Sequence, residues 1–218
     1  MLEAPPLNLP EGAAQNFRTA LDERDLSRLP VNVPRWAFLA WLAGEGWLLH
    51  GSARGDLTLF EARTPHDLSP DEFSKRTGVF AASDGLWAMM YALLDRNRVV
   101  RMLNTAVRVR EADGGWSTMR YFLSLAPRDP AVTDGRSLLS PGFVYVLLPD
   151  GFEPMPAYEW PGLGEVLEPH WINPNAVRPL LCVPVIPADF PLPVRTHDAA
   201  RVDALSRLDP WGFPWLEE

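Results

Sequence analysis

Three consecutive residues, His50, Gly51 and Ser52, have side chains suited to ligand binding and follow a short apolar run. A neutral imidazole can donate a hydrogen bond to a sugar hydroxyl or accept one from it, and glycine lets a ligand approach the backbone closely. The alternative is structural: His50 is a buried histidine bonded to a backbone group at a strand end, and Gly51 serves only a turn. Taken alone, the tripeptide favours this structural interpretation.

Two aromatic residues follow further along the chain. Phe80 lies in "GVFAA", a short apolar run that indicates a buried strand. Tyr91 lies in "SDGLWAMMYALLDRN", which indicates a helix that Ser83 can cap and whose positive end Asp84 favours. Aromatic residues at such positions are ordinarily part of a hydrophobic core, so this stretch alone specifies no function.

The elements around these residues predict an α+β fold. Segments 12–26 and 34–46 have the apolar spacing of two early helices, and "WLLH" reads as a buried strand that ends at His50. A polar, irregular stretch covers about residues 61–77.

Strands dominate the second half of the chain. The "DGG" stretch divides a hairpin, and "GFVYVLLPDG" predicts a strand that ends in a turn. "AVRPLLCVPVIP" predicts a further strand at a sheet edge or with a bulge, because Pro179 and Pro184 cannot donate backbone hydrogen bonds. We therefore expect mostly antiparallel sheets with N-terminal and flanking helices.

Composition excludes several function classes. The 218 residues predict one domain, and the formal charge of -8 argues against general nucleic-acid binding. Cys182 is the only cysteine, so no internal disulfide can form, and the four histidines at positions 50, 66, 170 and 197 lack the spacing of a metal site. Without a leader or a membrane-spanning run, we expect a cytoplasmic protein with no membrane association.

The order of these motifs resembles the ADP-ribosyltransferase superfamily, especially its poly-ADP-ribose-polymerase-like branch. In that branch a strand ends in His-Gly-Ser or His-Gly-Thr, a second strand resembles Gly-Ile-Tyr-Phe-Ala, and a helix then carries a second tyrosine. Here "LLHGS", "GVFAA" and Tyr91 follow in that order, and Tyr91 lies 11 residues after Phe80. The resemblance covers residues 46–95 and implies an ADP-ribosyltransferase-like split β core over 46–195, after a helical part over 1–45 and before a C-terminal tail over 196–218.

The resemblance also implies roles for individual residues, with NAD as the substrate. His50 would bond the 2′-hydroxyl of the nicotinamide ribose, Gly51 would hold the carboxamide through its backbone, and Ser52 would assist near the ribose or the adenosine end. Phe80 and Tyr91 would enclose the nicotinamide ring. Arg54 and Arg63, in the loop that follows, would meet the pyrophosphate.

The sequence departs from the family pattern at three places. Phe80 replaces the usual tyrosine, and Ala88 stands where a serine often faces the carboxamide. The catalytic glutamate, which stabilises the oxocarbenium-like transition state by its charge, has several candidates. We favour Glu159 for this position. The alternatives are the acids Glu165 and Glu168 and the imidazole of His170.

Two functions remain open from the sequence. The first is an NAD-binding enzyme that transfers ADP-ribose to an acceptor the sequence does not specify, or that hydrolyses NAD. The second is a non-catalytic module on the same fold that binds a nucleotide or a protein partner. The uncertain glutamate and the stretch "DPWGFPWLEE", which would form an adhesive tail, are consistent with the second function. The sequence specifies no oligomeric state.

Overall fold

The computed structural model describes residues 1–65 and 69–215. It is an α+β fold with mostly antiparallel sheets, as the sequence predicts. The described residues form four α-helices: α1 (Ala13–Asp22), α2 (Arg35–Gly44), α3 (Gly85–Ala92) and α4 (Ala199–Leu208). None of the helices within the described ranges is long and apolar enough to cross a membrane.

Twelve strands accompany these helices in the described chain. In chain order they are β1 (Leu2–Glu3), β2 (Leu48–Ser52), β3 (Val79–Ala82), β4 (Val99–Val109), β5 (Arg120–Pro127), β6 (Gly142–Leu147), β7 (Glu153–Pro154), β8 (Tyr158–Trp160), β9 (Gly164–Leu167), β10 (His170–Asn173), β11 (Leu181–Val185) and β12 (Arg195–Thr196).

The strands divide into two six-stranded sheets. The first has the order β1-β5-β4-β9-β8, with β12 pairing in parallel with β5. The second has the order β11-β6-β2-β3-β10-β7. The main hydrophobic core joins side chains from both sheets and from α1, α2 and α3, so the two sheets share one packed interior.

Helix α3 connects the sheets through its first turn. The carboxylate of Asp84 caps the helix by accepting from the backbone N–H of Trp87 at 2.8 Å. The same carboxylate accepts from the hydroxyl of Tyr121 on β5 at 2.6 Å. Asp84, rather than the expected Ser83, is the N-cap residue, because α3 begins at Gly85 and not at Asp84. Burial raises the pKa of Asp84 above its ordinary value, and these two hydrogen bonds oppose that rise.

Several other sequence predictions are confirmed and one is not. Strands β4 and β5 form the hairpin around "DGG", and β11 lies at a sheet edge with Pro184 inside it. The segment interpreted as a tail instead contains α4, whose buried Val202 packs on the first sheet. Its described end also packs inward, because Phe213 lies against Phe122 and Trp160. The described part of the C-terminal segment is therefore not a free adhesive tail; residues 216–218 lie outside the described ranges.

Candidate functional site

One cavity of about 500 Å³ is lined by all five residues that the sequence singles out for ligand binding. They are His50, Gly51, Ser52, Phe80 and Tyr91. A volume of this size lies within the usual range for small-molecule sites. We call it the first cavity.

The first cavity opens where two strands separate. Strand β2 pairs with β6 at five positions, from Leu48 to Ser52, but with β3 at one recorded position, Leu49 opposite Ala82. Beyond that pair the side chain of His50 bridges the strands, because its Nδ1 lies 2.6 Å from the carbonyl oxygen of Phe80. The sheet is thus joined by a side chain at the point where its backbone pairing stops.

The protonation state of His50 follows from this contact. A carbonyl oxygen can only accept, so we assign the ring proton to Nδ1, which leaves Nε2 as a hydrogen-bond acceptor. Burial lowers the pKa of His50 below its ordinary value of 6.5, and the hydrogen bond to Phe80 only partly opposes this shift. His50 is therefore a neutral imidazole at neutral pH and can accept a hydrogen bond from a ligand hydroxyl.

Gly51 is explained by helix packing. A Cβ atom at this position would lie 2.0 Å from the carbonyl oxygen of Ala88 and 2.7 Å from the backbone nitrogen of Ala92, both on α3. The residue lies inside β2 rather than in a turn. Its small size lets α3 lie directly against the strand, which brings Tyr91 to the cavity beside His50.

Aromatic side chains form much of the wall of the first cavity. The rings of Phe80 and His170 lie 4.9 Å apart, those of Trp87 and His170 lie 5.2 Å apart, and Trp87 contacts Tyr91 at 6.2 Å. The indole of Trp87 is fixed in position by a hydrogen bond, because its Nε1 donates to Oδ1 of Asn104 at 2.6 Å. These rings offer apolar faces to a flat ligand.

Three arginines also line the first cavity. Arg54 and Arg63 come from the loop that the sequence assigns to phosphate contacts, and Arg96 follows α3. Arg54 forms two hydrogen bonds to the carboxylate of Asp56, at 2.8 and 3.0 Å, so its charge is already offset. Arg63 and Arg96 are the better candidates for an anionic group.

The late carboxylates lie on or directly after the β8–β9 hairpin, and none of the three lines the first cavity. Glu159 lies on β8 of the first sheet with an exposed side chain, and it is not among the residues that line the first cavity. Glu165, on β9, is bound to Arg110 at 2.8 Å. Glu168 accepts a hydrogen bond from the hydroxyl of Tyr158 at 2.8 Å.

His170 is the late candidate that the fold brings to the first cavity. It begins β10, which pairs antiparallel with β3, and it lies opposite Ala82. Its imidazole lines the cavity together with Phe80. The sequence allowed for this placement when it left His170 open at the position of the glutamate.

A second cavity, of about 720 Å³, adjoins the first. Six residues line both: Pro65, Ser74, Trp87, Tyr91, Arg96 and His170. Glu168 and the aromatic residues of β8 and of the C-terminal segment line only the second. The two cavities meet at a common wall around His170.

Sequence reasoning missed several cavity residues. Trp87 lies on the helix that carries Tyr91, and helical spacing alone would have placed it one turn before Tyr91, whereas Arg96 follows the helix. Glu61 and Ser74 lie in the irregular stretch, whose composition gives no signal of which side chains face a ligand. Among the residues that the structure describes, no group of three or more acidic, histidine or cysteine side chains could hold a metal ion; His66 lies outside those residues.

Comparison of the chain with protein-family models, with curated proteins and with solved structures finds no match.

Proposed function

We propose that this chain is an NAD-binding protein of the ADP-ribosyltransferase type, with the first cavity as the site of the nicotinamide ribose. The observation that carries the proposal is the convergence of His50, Gly51, Ser52, Phe80 and Tyr91 on one cavity. They come from two strands and a helix, and the resemblance to the ADP-ribosyltransferase superfamily implies a role for each of them. Convergence of this kind supports a common ligand.

The geometry suits the parts of NAD in turn. Nε2 of the neutral His50 can accept from a ribose hydroxyl, and Phe80 and Tyr91 offer rings to the nicotinamide. Arg63 and Arg96 supply positive charge to the pyrophosphate. The cavity thus combines apolar walls with a few placed polar groups, as small-molecule sites do.

Turnover requires a carboxylate near the ribose. Loss of nicotinamide develops positive charge on the sugar, which a negative side chain stabilises, whereas an imidazole carries no negative charge. Glu168 fits this role better than Glu159, because it precedes His170 by two residues and lines the adjoining cavity. We therefore assign the electrostatic role to Glu168.

A second function is favoured by one observation. The strand that pairs with β3 begins with His170 rather than with an acid. A non-catalytic module that binds the dinucleotide without cleaving it would have this feature.

Incubation with NAD labelled in its nicotinamide separates the two functions. The enzyme releases labelled nicotinamide, and calorimetry shows that it binds NAD. The module gives a calorimetric signal with NAD and no release beyond the rate in buffer. Failure to bind NAD would contradict both functions, and the thermal unfolding curve serves as the control that the protein is folded.

A further inference from the structure

The second cavity has a wall of aromatic side chains from distant parts of the chain. The rings of Tyr158 and Trp160 are stacked at 6.3 Å with an interplanar angle of 20°. Trp211 lies 6.0 Å from Tyr158, and Phe213 lies 5.6 Å from Trp160. All four side chains line the cavity, so a ring-shaped ligand would meet flat apolar faces there.

Charged groups of this wall are engaged by neighbours. Arg101 pairs with Asp203 at 2.7 Å, and Glu168 accepts from the Tyr158 hydroxyl. Asp71 accepts from the hydroxyl of Ser69 at 2.6 Å and from the backbone of Ser74 at 2.7 Å. Arg101 offsets the charge of Asp203, but hydroxyl and backbone N–H donors do not offset the charges of Asp71 and Glu168. The carboxylates of this wall therefore favour a neutral polar ligand over an anion.

His170 lies where the two cavities meet. Its ring contacts Phe80 and Trp87, and its Nδ1 lies 3.5 Å from the hydroxyl oxygen of Ser74, which is buried. Imidazole is the side chain best suited to exchange protons near neutral pH. A group at this position can reach a ligand in either cavity.

We propose that the second cavity is the acceptor site: it binds a small alcohol that carries an aromatic or sugar ring, and His170 takes the proton of that alcohol. This inference rests on the proposed transfer from NAD. It names the class of acceptor and adds a role for His170 that differs from the electrostatic role assigned to Glu168.

The step balances as a substitution at the ribose. The bond from C1′ of the ribose to the nicotinamide nitrogen breaks, and nicotinamide leaves as a neutral molecule with the bonding pair. An oxygen lone pair of the alcohol forms the new bond to C1′. The hydroxyl proton passes to the imidazole of His170 and then to water, so the products are ADP-ribosylated alcohol, nicotinamide and a proton.

The test measures nicotinamide release from NAD in the presence of four alcohols. Benzyl alcohol, thymidine and methyl glucoside carry rings, and N-acetylserinamide is the ringless control. We expect at least one ring-bearing alcohol to raise release about tenfold above the rate with water and to give an adduct by mass spectrometry. The preferred alcohol distinguishes an aromatic acceptor from a sugar acceptor, whereas equal rates with N-acetylserinamide would overturn the proposal.

Two variants separate binding from proton transfer. Trp211→Leu should raise the KM for the ring-bearing alcohol about tenfold with a smaller effect on kcat, while Trp116→Leu, in a tryptophan that stacks on Arg110 outside both cavities, should change neither. His170→Gln should lower the acceptor-dependent kcat about 100-fold and abolish its rise with pH.

The outcomes distinguish this proposal from the proposed function. If NAD is bound and hydrolysed by water but no alcohol reacts, or if His170→Gln keeps the acceptor-dependent rate and its pH profile, the acceptor site is wrong and the NAD site stands. If NAD is not bound, the proposed function fails and the acceptor site fails with it.

Discussion

His50 and Phe80 are joined by a hydrogen bond of 2.6 Å between the imidazole Nδ1 and the backbone carbonyl, at the point where β2 and β3 cease to pair. The contact satisfies this part-buried carbonyl in place of a backbone partner on β2. It also orients the ring so that the proton is on Nδ1 and the acceptor is Nε2. A structural hydrogen bond and a ligand-binding role are therefore compatible in one side chain, although the sequence presents them as alternatives.

Replacement of His50 by phenylalanine should weaken NAD binding. His50→Phe keeps a ring against Phe60, which lies 4.5 Å from the imidazole, but removes the acceptor and leaves the Phe80 carbonyl without its partner. We expect a 10- to 100-fold loss of NAD affinity by calorimetry and a loss of about 1–3 kcal/mol in the free energy of unfolding. Unchanged NAD affinity in a folded variant would show that His50 is only structural.

Gly51→Ala should destabilise the fold, because the added methyl group would overlap the backbone of α3 at Ala88 and Ala92. We expect a loss of about 3 kcal/mol in the free energy of unfolding, measured with urea. Gly44→Ala is the matched control: this glycine ends α2 with open space around it, so its stability should be unchanged or about 0.5 kcal/mol higher. Equal stability of the two variants would contradict the packing role of Gly51.

Replacing Glu168 or Glu159 by glutamine tests which of the two carboxylates is needed for nicotinamide release. Glu168→Gln should reduce nicotinamide release about 100- to 1000-fold, because the amide keeps an acceptor for the Tyr158 hydroxyl but lacks the negative charge. Glu159→Gln should leave release unchanged, since Glu159 is exposed on β8. The rate of release from labelled NAD is the measurement. Loss of release in Glu159→Gln alone would instead identify Glu159 as the catalytic carboxylate.

The free energy of unfolding should decrease as the pH falls, because two histidines have lowered pKa values in the folded chain. Burial and then the charge of Arg101 lower the pKa of His197 to about 4, and burial also lowers that of His50, against ordinary values of 6.5. The unfolded chain therefore binds more protons than the folded chain below pH 6.5, so these groups destabilise the fold as the pH falls from about 6.5 towards 4. At pH values well above 6.5, where both histidines are neutral in the folded and the unfolded chain, they contribute no pH dependence.

His197→Gln isolates one of these contributions. The glutamine can keep a hydrogen bond to Ser124, whose hydroxyl lies 2.9 Å from the His197 Nδ1. We expect the melting temperature of this variant to fall less steeply between pH 6.5 and 4 than that of the unmodified chain, while part of the slope remains because of His50. Identical slopes in thermal unfolding scans would contradict the assignment to His197.

The sequence by itself determined the local elements. Apolar periodicity placed β2, β3 and α3 within a few residues, and Pro184 correctly indicated an edge strand, because both signals act between neighbours in the chain. The order of His50, Phe80 and Tyr91 was likewise sufficient to nominate three residues that line one cavity.

Only the tertiary structure decided which late residues meet them. The pairing of β10 with β3 brings His170 beside Phe80, whereas Glu159 lies in the other sheet. The tertiary structure also shows that α3 can pack against β2 only because residue 51 is a glycine. The C-terminal segment completes the wall of the second cavity. Such contacts join residues far apart in sequence, and they depend on how sheets and helices pack rather than on local propensity.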